Sequence, residues 1–345
     1  MLSSFKSVRL LDPAAVTANQ IGQLTDEQKN WLNLAARGFG ALQAVLPIII
    51  LGVFACFFLP MFGSFGSFSI LPILFFLLIL GAIVAQVSGG LVKTIRLATR
   101  LREDLSQVSI RQIQGQLGFQ KGSYVVPLGE QILSLPPGSE TGGMLPGVTY
   151  RLFYLEKSGL VISAEELYPP SMAQVRVALT GILAEVNKFS PEDIELNRTG
   201  EISPTQRMKA LPQAIFGAVF GLIALVFVGL TLMPSFSGQD FSIQAAAFIP
   251  MIISGIFLLI GGFMFVRAVL DMVQSSPAQV EGDGRKEKRV SGGKNRSTRY
   301  YYVIGGTSFQ VNRQAYTALI DGLDYRVFYL PNTKRLLSIE PITLS

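Results

Sequence analysis

Residues 190–207 read SPEDIELNRTGEISPTQR and residues 12–29 read DPAAVTANQIGQLTDEQK, and the two stretches align without a gap at an offset of 178 (190 − 12). A second stretch, 147–155, returns as 322–330 at an offset of 175 (322 − 147). A period this long indicates a duplicated module, because solenoid repeats are much shorter. The sequence therefore predicts two similar modules in tandem.

Two long stretches of the chain almost lack charge. Residues 38–92 contain no Asp, Glu, Lys, Arg or His, and residues 210–266 contain one charged residue, Asp240. About 20 apolar residues cross a bilayer as a helix, so each stretch is long enough for two spans and a turn. The mean hydropathy of +0.43 is also high for a soluble protein. Four spans are expected, near 39–60, 70–92, 212–233 and 245–268.

The basic residues predict the orientation of these spans. Of the 29 Lys and Arg residues, all but Arg267, at the end of the last expected span, lie in the polar segments, and neither short outer turn contains one. Because cytoplasmic loops carry the excess of basic residues, both termini and both polar segments are expected in the cytoplasm. Met1–Arg9 lacks the apolar core of a signal peptide, so the first span is expected to direct insertion. The prediction is an integral, multi-pass membrane protein.

After each apolar stretch the chain reads as short β-strands. Runs rich in β-branched and aromatic residues alternate with turns such as Gly305-Gly306. About five strands per copy predict a small, partly open barrel of SH3 or OB type, with a helical insert at 313–321 in copy two. The expected fold is an α+β membrane protein with these parts: an N-terminal helix-turn-helix arm (1–38), a transmembrane hairpin (39–92), a β-barrel (93–170), an amphipathic linker helix with a second arm (171–211), a second hairpin (212–268) and a second barrel (269–345).

Each copy opens with helix-start signals. Ser190 precedes Pro191, and Ser203 precedes Pro204 with Gln206 in the spacing of a capping box. In copy one, Asp12, Thr25 and Gln28 occupy the corresponding positions. Capping explains the repeated residues better than the alternative, in which Asn19 and Asn197 hold a ligand.

An amphipathic helix is expected between the copies, because apolar residues recur at helical spacing from Met172 to Phe189. One interpretation makes it a strut that packs the first barrel against the arm of copy two. The other places it on the membrane surface.

The segment from Tyr325 to Glu340 reads Tyr-x-Val-x-Tyr-x-Pro-x-Thr-Lys-x-Leu-x-Ser-Ile-Glu. A membrane hairpin followed by a barrel with this ending resembles a class of uncharacterised bacterial and eukaryotic membrane proteins with SH3/OB-like cytosolic domains. It is more distantly similar to NfeD-like proteins, which are associated with stomatin-type partners. Copy one departs from the pattern, with Glu156 for Pro331 and Gly159 for Lys334. The resemblance implies a fold and carries over no catalytic residue.

Few residues are suited to catalysis or metal binding. The chain has no His and one cysteine, Cys56, so Cys/His zinc sites, histidine general bases and internal disulfides are excluded. Glu165 and Glu340 occupy equivalent positions after the last strand, and Arg151 and Arg326 lie on the strand before it. These residues predict cross-strand ion pairs, with an acid–base site as the alternative. No cofactor or metal is expected.

A basic segment, 281–299, distinguishes copy two from copy one. It contains seven basic and three acidic residues and is rich in Gly, so a solvated loop is predicted. Next to a membrane span, such a loop favours anionic lipid headgroups or a protein partner. Nucleic acid is less favoured because aromatic residues are not interleaved with the charges. The candidate binding residues are Arg285, Lys286, Lys288, Arg289, Lys294, Arg296 and Arg299.

Small residues at four-residue spacing predict close helix packing in the membrane. They suggest a compact four-helix bundle or contacts between copies of the chain. The candidate positions are Gly81, Ala85, Gly89, Gly217 and Gly221.

The sequence favours a non-enzymatic membrane scaffold or accessory subunit that docks to a membrane protein or to further copies of itself. A transport or channel component formed on oligomerisation is the alternative, although ionisable residues are missing from the spans. A third hypothesis is a membrane enzyme that uses Glu165 and Glu340 on lipid-like substrates.

Overall fold

The structure, a computed structural model, describes residues 9–36, 95–129, 131–136, 141–236, 241–291 and 297–342. The chain divides into two compact units. The first comprises Met1–Gly118 and Tyr124–Pro170, and the second comprises Phe119–Ser123 and Ser171–Ser345. The predicted hairpin at 39–92 lies outside the described residues.

The described part of copy one combines three helices with six strands. The strands form two antiparallel sheets of order β1-β5-β6 and β2-β3-β4, because the first long strand is interrupted at Leu117. The elements are α1 (Pro13–Gln20), α2 (26–36), α3 (95–106), β1 (Ile110–Gln116), β2 (Gly118–Gln120), β3 (Ser123–Leu128), β4 (Gln131–Ser134), β5 (Thr149–Leu155) and β6 (Val161–Glu166).

Copy two contains six helices and five strands among its described residues. A 3-10 turn at Met208–Ala210 joins its arm to the first long helix. The elements are α4 (Met172–Asn187), α5 (Pro191–Arg198), α6 (Pro204–Arg207), α7 (Leu211–Phe236), α8 (Phe241–Val273), β7 (Ala278–Ser291), β8 (Ser297–Ile304), β9 (Thr307–Val311), α9 (Arg313–Ala318), β10 (Asp324–Tyr329) and β11 (Leu336–Pro341).

The predicted helix caps are confirmed. The Ser190 hydroxyl accepts from the backbone N–H of Asp193, whose carboxylate accepts from the backbone N–H of Ser190. Ser203 and Gln206 form the same reciprocal box at α6. The short helices α1 and α5 are followed by Gly22 and Gly200, with φ of +77° and +85°, where glycine adopts a left-handed conformation without strain.

Copy two forms one open sheet of order β11-β10-β7-β8-β9. The first half of β7, 278–283, pairs with β10, and the second half, 284–291, pairs with β8. The change of partner falls at Gly284, where a Cβ atom would lie 2.4 Å from the ring of Tyr325. In copy one, β1 pairs with β5 and β2 lies next to β3, so β1 and β2 together correspond to β7. The two copies therefore share a strand order.

The expected small, partly open barrels are not confirmed, because neither copy closes into a barrel among the described residues. In copy two, β9 and β11 remain at opposite ends of the sheet order. The helix α9 lies between β9 and β10 in sequence and buries Ala315 and Ala318 in the core. That helix covers apolar surface that barrel closure would otherwise have to bury.

The amphipathic helix between the copies belongs to the second unit. Val175, Leu179 and Leu183 of α4 are buried, and the helix packs against β11 and α9. This burial occupies the apolar face that attachment to a membrane surface would require. It also places the helix in the core of copy two, whereas the strut interpretation stays a prediction.

Two helices among the described residues are long and apolar enough to cross a membrane. The qualifying segments are Pro204–Leu230 and Met251–Val273, with mean hydropathies of 2.3 and 2.2. The helix α8 continues past the predicted end at 268 and includes Arg267 and Asp271.

Glycines bring α7 and α8 into backbone contact. A Cβ atom at Gly217 would lie 2.7 Å from the backbone nitrogen of Phe265, and one at Gly261 would lie 2.8 Å from that of Gly221. Residues without a side chain permit this approach, which maximises van der Waals contact. Two predicted packing residues, Gly217 and Gly221, therefore contact the partner helix of their own hairpin.

Gly217→Leu is expected to destabilise the hairpin, because the new side chain collides with backbone atoms that cannot move aside. The loss should be about 1–3 kcal/mol, as for overpacking elsewhere. Gly229→Leu is the matched control, because no atom lies within 4 Å of its Cβ position. Unfolding of the full chain in detergent by added denaturing surfactant measures both variants. Equal stabilities would contradict the contact.

Candidate functional site

The most concentrated group of charges surrounds Glu340 on β11. Its side chain is 3% exposed and contacts three arginines. Arg176 of α4 lies 3.0 Å from one carboxylate oxygen, and Arg198 of α5 donates to both oxygens. Arg326 of β10 lies 3.4 Å away. A buried carboxylate of this kind is retained only when several donors compensate for its lost hydration. We call these four residues the Glu340 cluster.

Copy one has a simpler version of the same pair. Arg151 donates to Glu165 at 2.9 Å, and both side chains are more than one-third exposed. The register places Arg151 opposite Glu165 and Arg326 opposite Glu340. Both acids lie within the last strand and not after it, which corrects the predicted position. The geometry is that of cross-strand ion pairs.

The environment of Glu340 has opposing effects on its pKa. Burial raises the pKa, but hydrogen bonds from Arg198 and Arg176 outweigh this effect and lower it below the ordinary value of 4.5. The carboxylate is therefore charged at neutral pH. Because it is held by donors on α4, α5 and β10, it fastens both helices to the sheet.

The repeated asparagines connect the arms to the sheets. Asn19 Nδ2 donates to Ser163 Oγ at 2.6 Å, and Asn197 Nδ2 donates to Ser338 Oγ at the same distance. All four side chains are buried. The capping interpretation missed this role, because each bond spans more than 140 residues of sequence. The Oδ1 atoms of both asparagines have no hydrogen-bond partner.

Two buried aspartates were missed by the sequence reasoning. Asp104 of α3 accepts from the backbone N–H groups of Lys157 and Ser158 at 3.0 and 2.9 Å. Asp271 of α8 accepts from those of Asn332 and Thr333 at 3.0 and 2.7 Å. Each aspartate is 0% exposed and fixes the turn before the last strand of its copy. The two aspartates are 167 residues apart (271 − 104), and so are Gly115 and Gly282. Aligning the two copies at this offset could have shown that the aspartate repeats.

A tyrosine repeats on the strand that leads into each of these turns. The hydroxyl of Tyr150 accepts from Leu145 N–H at 2.8 Å, and that of Tyr325 exchanges hydrogen bonds with the backbone of Ile320. Burial raises the pKa of Tyr150 to about 12 and that of Tyr325 above its ordinary value. Both phenols are neutral and structural at physiological pH.

The first unit contains a cavity of about 470 Å³ beside α1 and α2. Ala15 and Trp31 contribute to its lining, and their counterparts in copy two at the offset of 178 are Asp193 and Lys209. Both counterparts form hydrogen bonds. The Asp193 carboxylate accepts from Ser203 Oγ at 2.7 Å, and Lys209 Nζ donates to a backbone carbonyl at 2.9 Å.

The basic segment 281–299 is a β-hairpin where the structure describes it, which corrects the predicted loop. Arg285, Lys286, Lys288 and Arg289 lie on β7, and Arg299 lies on β8. The pairing continues to Ser291 opposite Ser297. Strand formation was unexpected because charges and glycine disfavour strands, but the Tyr-rich β8 supplies a partner.

Several candidate residues lie outside the described part of the chain, namely Lys294, Arg296, Gly81, Ala85 and Gly89. Within the described residues, no group of three or more His, Cys, Asp or Glu could hold a metal ion.

A scan against protein-family models finds no matching family, and searches of curated proteins and of solved structures find no similar protein.

Glu340→Gln is expected to lower the free energy of unfolding by about 3 kcal/mol at neutral pH, because three arginines lose their charged partner. The folded-state pKa of Glu340 is depressed, so its contribution is complete well above pH 4.5 and disappears as the pH falls through the folded-state value. The variant should therefore lose less stability on acidification than the parent. Chemical unfolding of the full chain across acidic pH measures this.

Glu165→Gln is the matched control. Its single exposed pair should contribute at most about 1 kcal/mol. Equal losses for the two variants would show that burial and the extra arginines add nothing.

Proposed function

We propose that this chain is a non-enzymatic, multi-pass membrane protein that acts as a scaffold or accessory subunit for a membrane partner or for further copies of itself. One observation carries the proposal. The polar residues that the two copies share bond to groups within their own copy: Asn19 and Asn197 to serines, and Asp104 and Asp271 to turns. Shared residues with this role support a rigid framework, since a duplicated reaction centre would be expected to leave some of them facing substrate.

The proposed arrangement has four spans in two hairpins. The hairpin of α7 and α8 contains the two candidate spans. Near the end of α8, Asp271 holds the turn at Thr333. Asp104 holds the equivalent turn from α3, which follows the charge-free segment 38–92. This equivalence supports a first hairpin at 39–92. The distribution of Lys and Arg supports cytoplasmic termini and cytoplasmic β-domains.

The acid–base alternative has less support. Both oxygens of Glu340 receive hydrogen bonds from arginines, and Glu165 is paired with Arg151. A general acid or base must reach its substrate, whereas the Glu340 carboxylate is 3% exposed.

The orientation can be tested by labelling single cysteines in intact cells. In a Cys56→Ser background, Ser237→Cys in the predicted outer turn should react with a membrane-impermeant maleimide, because that turn is expected outside. Ser291→Cys, in the β-domain, should react only after the cells are opened. Labelling of Ser291→Cys in intact cells would contradict the proposed topology, because it would place the β-domain outside.

Assembly can be tested by extracting the full chain from its native membrane within a shell of native lipid and weighing the particles. The proposal expects a protein mass well above the 37.5 kDa of one chain. A defined partner or several copies should account for that mass. Crosslinks formed in the membrane before extraction should join residues of the β-domains to the same neighbour. A lone 37.5 kDa chain without crosslinks would refute the scaffold.

A further inference from the structure

Copy two carries a β-arm that copy one lacks. The paired residues Gly115 and Tyr150 in copy one are 35 apart (150 − 115), whereas their counterparts Gly282 and Tyr325 are 43 apart (325 − 282). Part of this difference lengthens the hairpin of β7 and β8. The strand β9 covers β8 only from Tyr300 onward. Residues 289–291 and 297–299 lie beyond it. We call these residues, together with the adjacent Lys288, the arm, which is distinct from the helix-turn-helix arms at the start of each copy.

The charges of the hairpin divide into a neutralised base and a cationic arm. At the base, Arg285 pairs with Asp283 at 2.7 Å, and Lys286 lies 3.6 Å from Asp321. Burial lowers the pKa of Lys286, and its Nζ atom also donates to a backbone carbonyl at 2.9 Å. Beyond Glu287 the arm contains no acidic residue.

Two arginines of the arm lie directly opposite each other. Arg289 pairs in register with Arg299, and paired residues of an antiparallel ladder point to the same face. Like charges in this position repel unless an anion lies between them. Arg289 is held by Glu287 at 2.7 Å and lies 4.4 Å above the ring of Tyr301, which orients its guanidinium. Arg299 has no carboxylate within salt-bridge distance among the described residues.

Contacts connect the root of the arm to the start of α7. Tyr302, on β8, is buried in the same apolar cluster as Ala210 and Ala214, which lie immediately before and in the first turn of α7. Lys209, two residues before α7, donates to the carbonyl of Leu337 on β11 of the same sheet at 2.9 Å. The arm therefore begins close to the helix that is proposed to enter the membrane. At the other side of the hairpin, β7 starts at Ala278, five residues after α8 ends at Val273.

We propose that Arg289 and Arg299 bind the phosphate of anionic lipid headgroups at the surface of the membrane that α7 and α8 enter, with Lys288 adding charge. The guanidinium of Arg299 presents a planar pair of N–H donors that matches the oxygens of a phosphate. Arg289 binds Glu287 and Ser308 through Nε and one Nη atom, and its other Nη atom supplies further donors on the same face. Val290 of the arm is 56% exposed, and an apolar side chain among cations suits the boundary between headgroups and acyl chains.

A membrane surface fits these observations better than an acidic protein, because the root of the arm contacts the residues before a candidate span. The inference rests on the proposed membrane insertion of the hairpin and does not depend on the proposed partner. A monomeric chain could therefore still bind anionic lipid, and the failures of the two proposals are distinguishable.

The test titrates the full chain in a neutral detergent with short-chain phosphatidylglycerol and counts bound lipids by native mass spectrometry, with phosphatidylcholine as the neutral reference. The parent chain should bind phosphatidylglycerol more tightly. Arg299→Gln should weaken that binding by roughly fivefold, the contribution of one basic residue near an anionic surface.

The matched control is Arg285→Gln, which removes the same charge from the same hairpin at a position already paired with Asp283. It should leave the affinity for phosphatidylglycerol within about twofold of the parent. Arg299→Lys keeps the charge without the planar donor pair and should fall between the parent and Arg299→Gln. Unchanged melting temperatures will exclude misfolding as the cause.

Three results would overturn the proposal. The first is equal binding of the neutral and the anionic lipid. The second is an equal loss of affinity in Arg285→Gln and Arg299→Gln. The third is binding of inorganic phosphate or of a single-stranded oligonucleotide at least as tightly as phosphatidylglycerol, which would show a general anion site or a nucleic-acid surface.

Discussion

The structure depends on the hydrogen bonds by which a buried aspartate at the end of a helix holds a β-turn. A carboxylate with no exposure is tolerable only when donors replace water, and the Asp271 carboxylate receives them from the turn at Asn332 and Thr333. These bonds fix where the sheet sits on α8. The Glu340 cluster then fastens α4 and α5 to the same sheet from the other side. The β-domain of copy two is thus joined to its helices at two charged, buried points.

The two copies keep the same framework and differ in what they add to it. Both retain the asparagine-to-serine bond, the aspartate and the buried tyrosine. Copy two adds Arg176 and Arg198 to its cross-strand pair, a helix α9 in its core and the arm. Copy one has a cavity at a place where copy two has Asp193 and Lys209. The copies therefore share a framework and differ in buried charge, in core composition and in the length of one β-hairpin.

The sequence predicted the parts of this fold that depend on local patterns. The duplication, the caps at Ser190 and Ser203, the strand-rich character of the polar segments and the apolar hairpin at 212–268 could all be found from neighbouring residues. The bond of Asn197 to Ser338 could not, since it joins residues 141 apart. The arm was read as a loop because its own residues disfavour strands, and only pairing with β8 makes it one. The type of β-domain could not be settled from the sequence either, because the number of strands does not determine which edges meet.

The backbone contact of α7 and α8 also limits where water could pass between the two helices. With Gly217 and Gly261 in place of larger side chains, the seam between the two helices is filled by main-chain atoms, and it leaves no width for a file of water molecules. The exposed side chains of α7, such as Phe216, Val219 and Leu222, are apolar and would dewet any gap they lined. If the hairpin enters the membrane as proposed, this contact between α7 and α8 offers no hydrated route, and a route for ions would have to be formed by other surfaces.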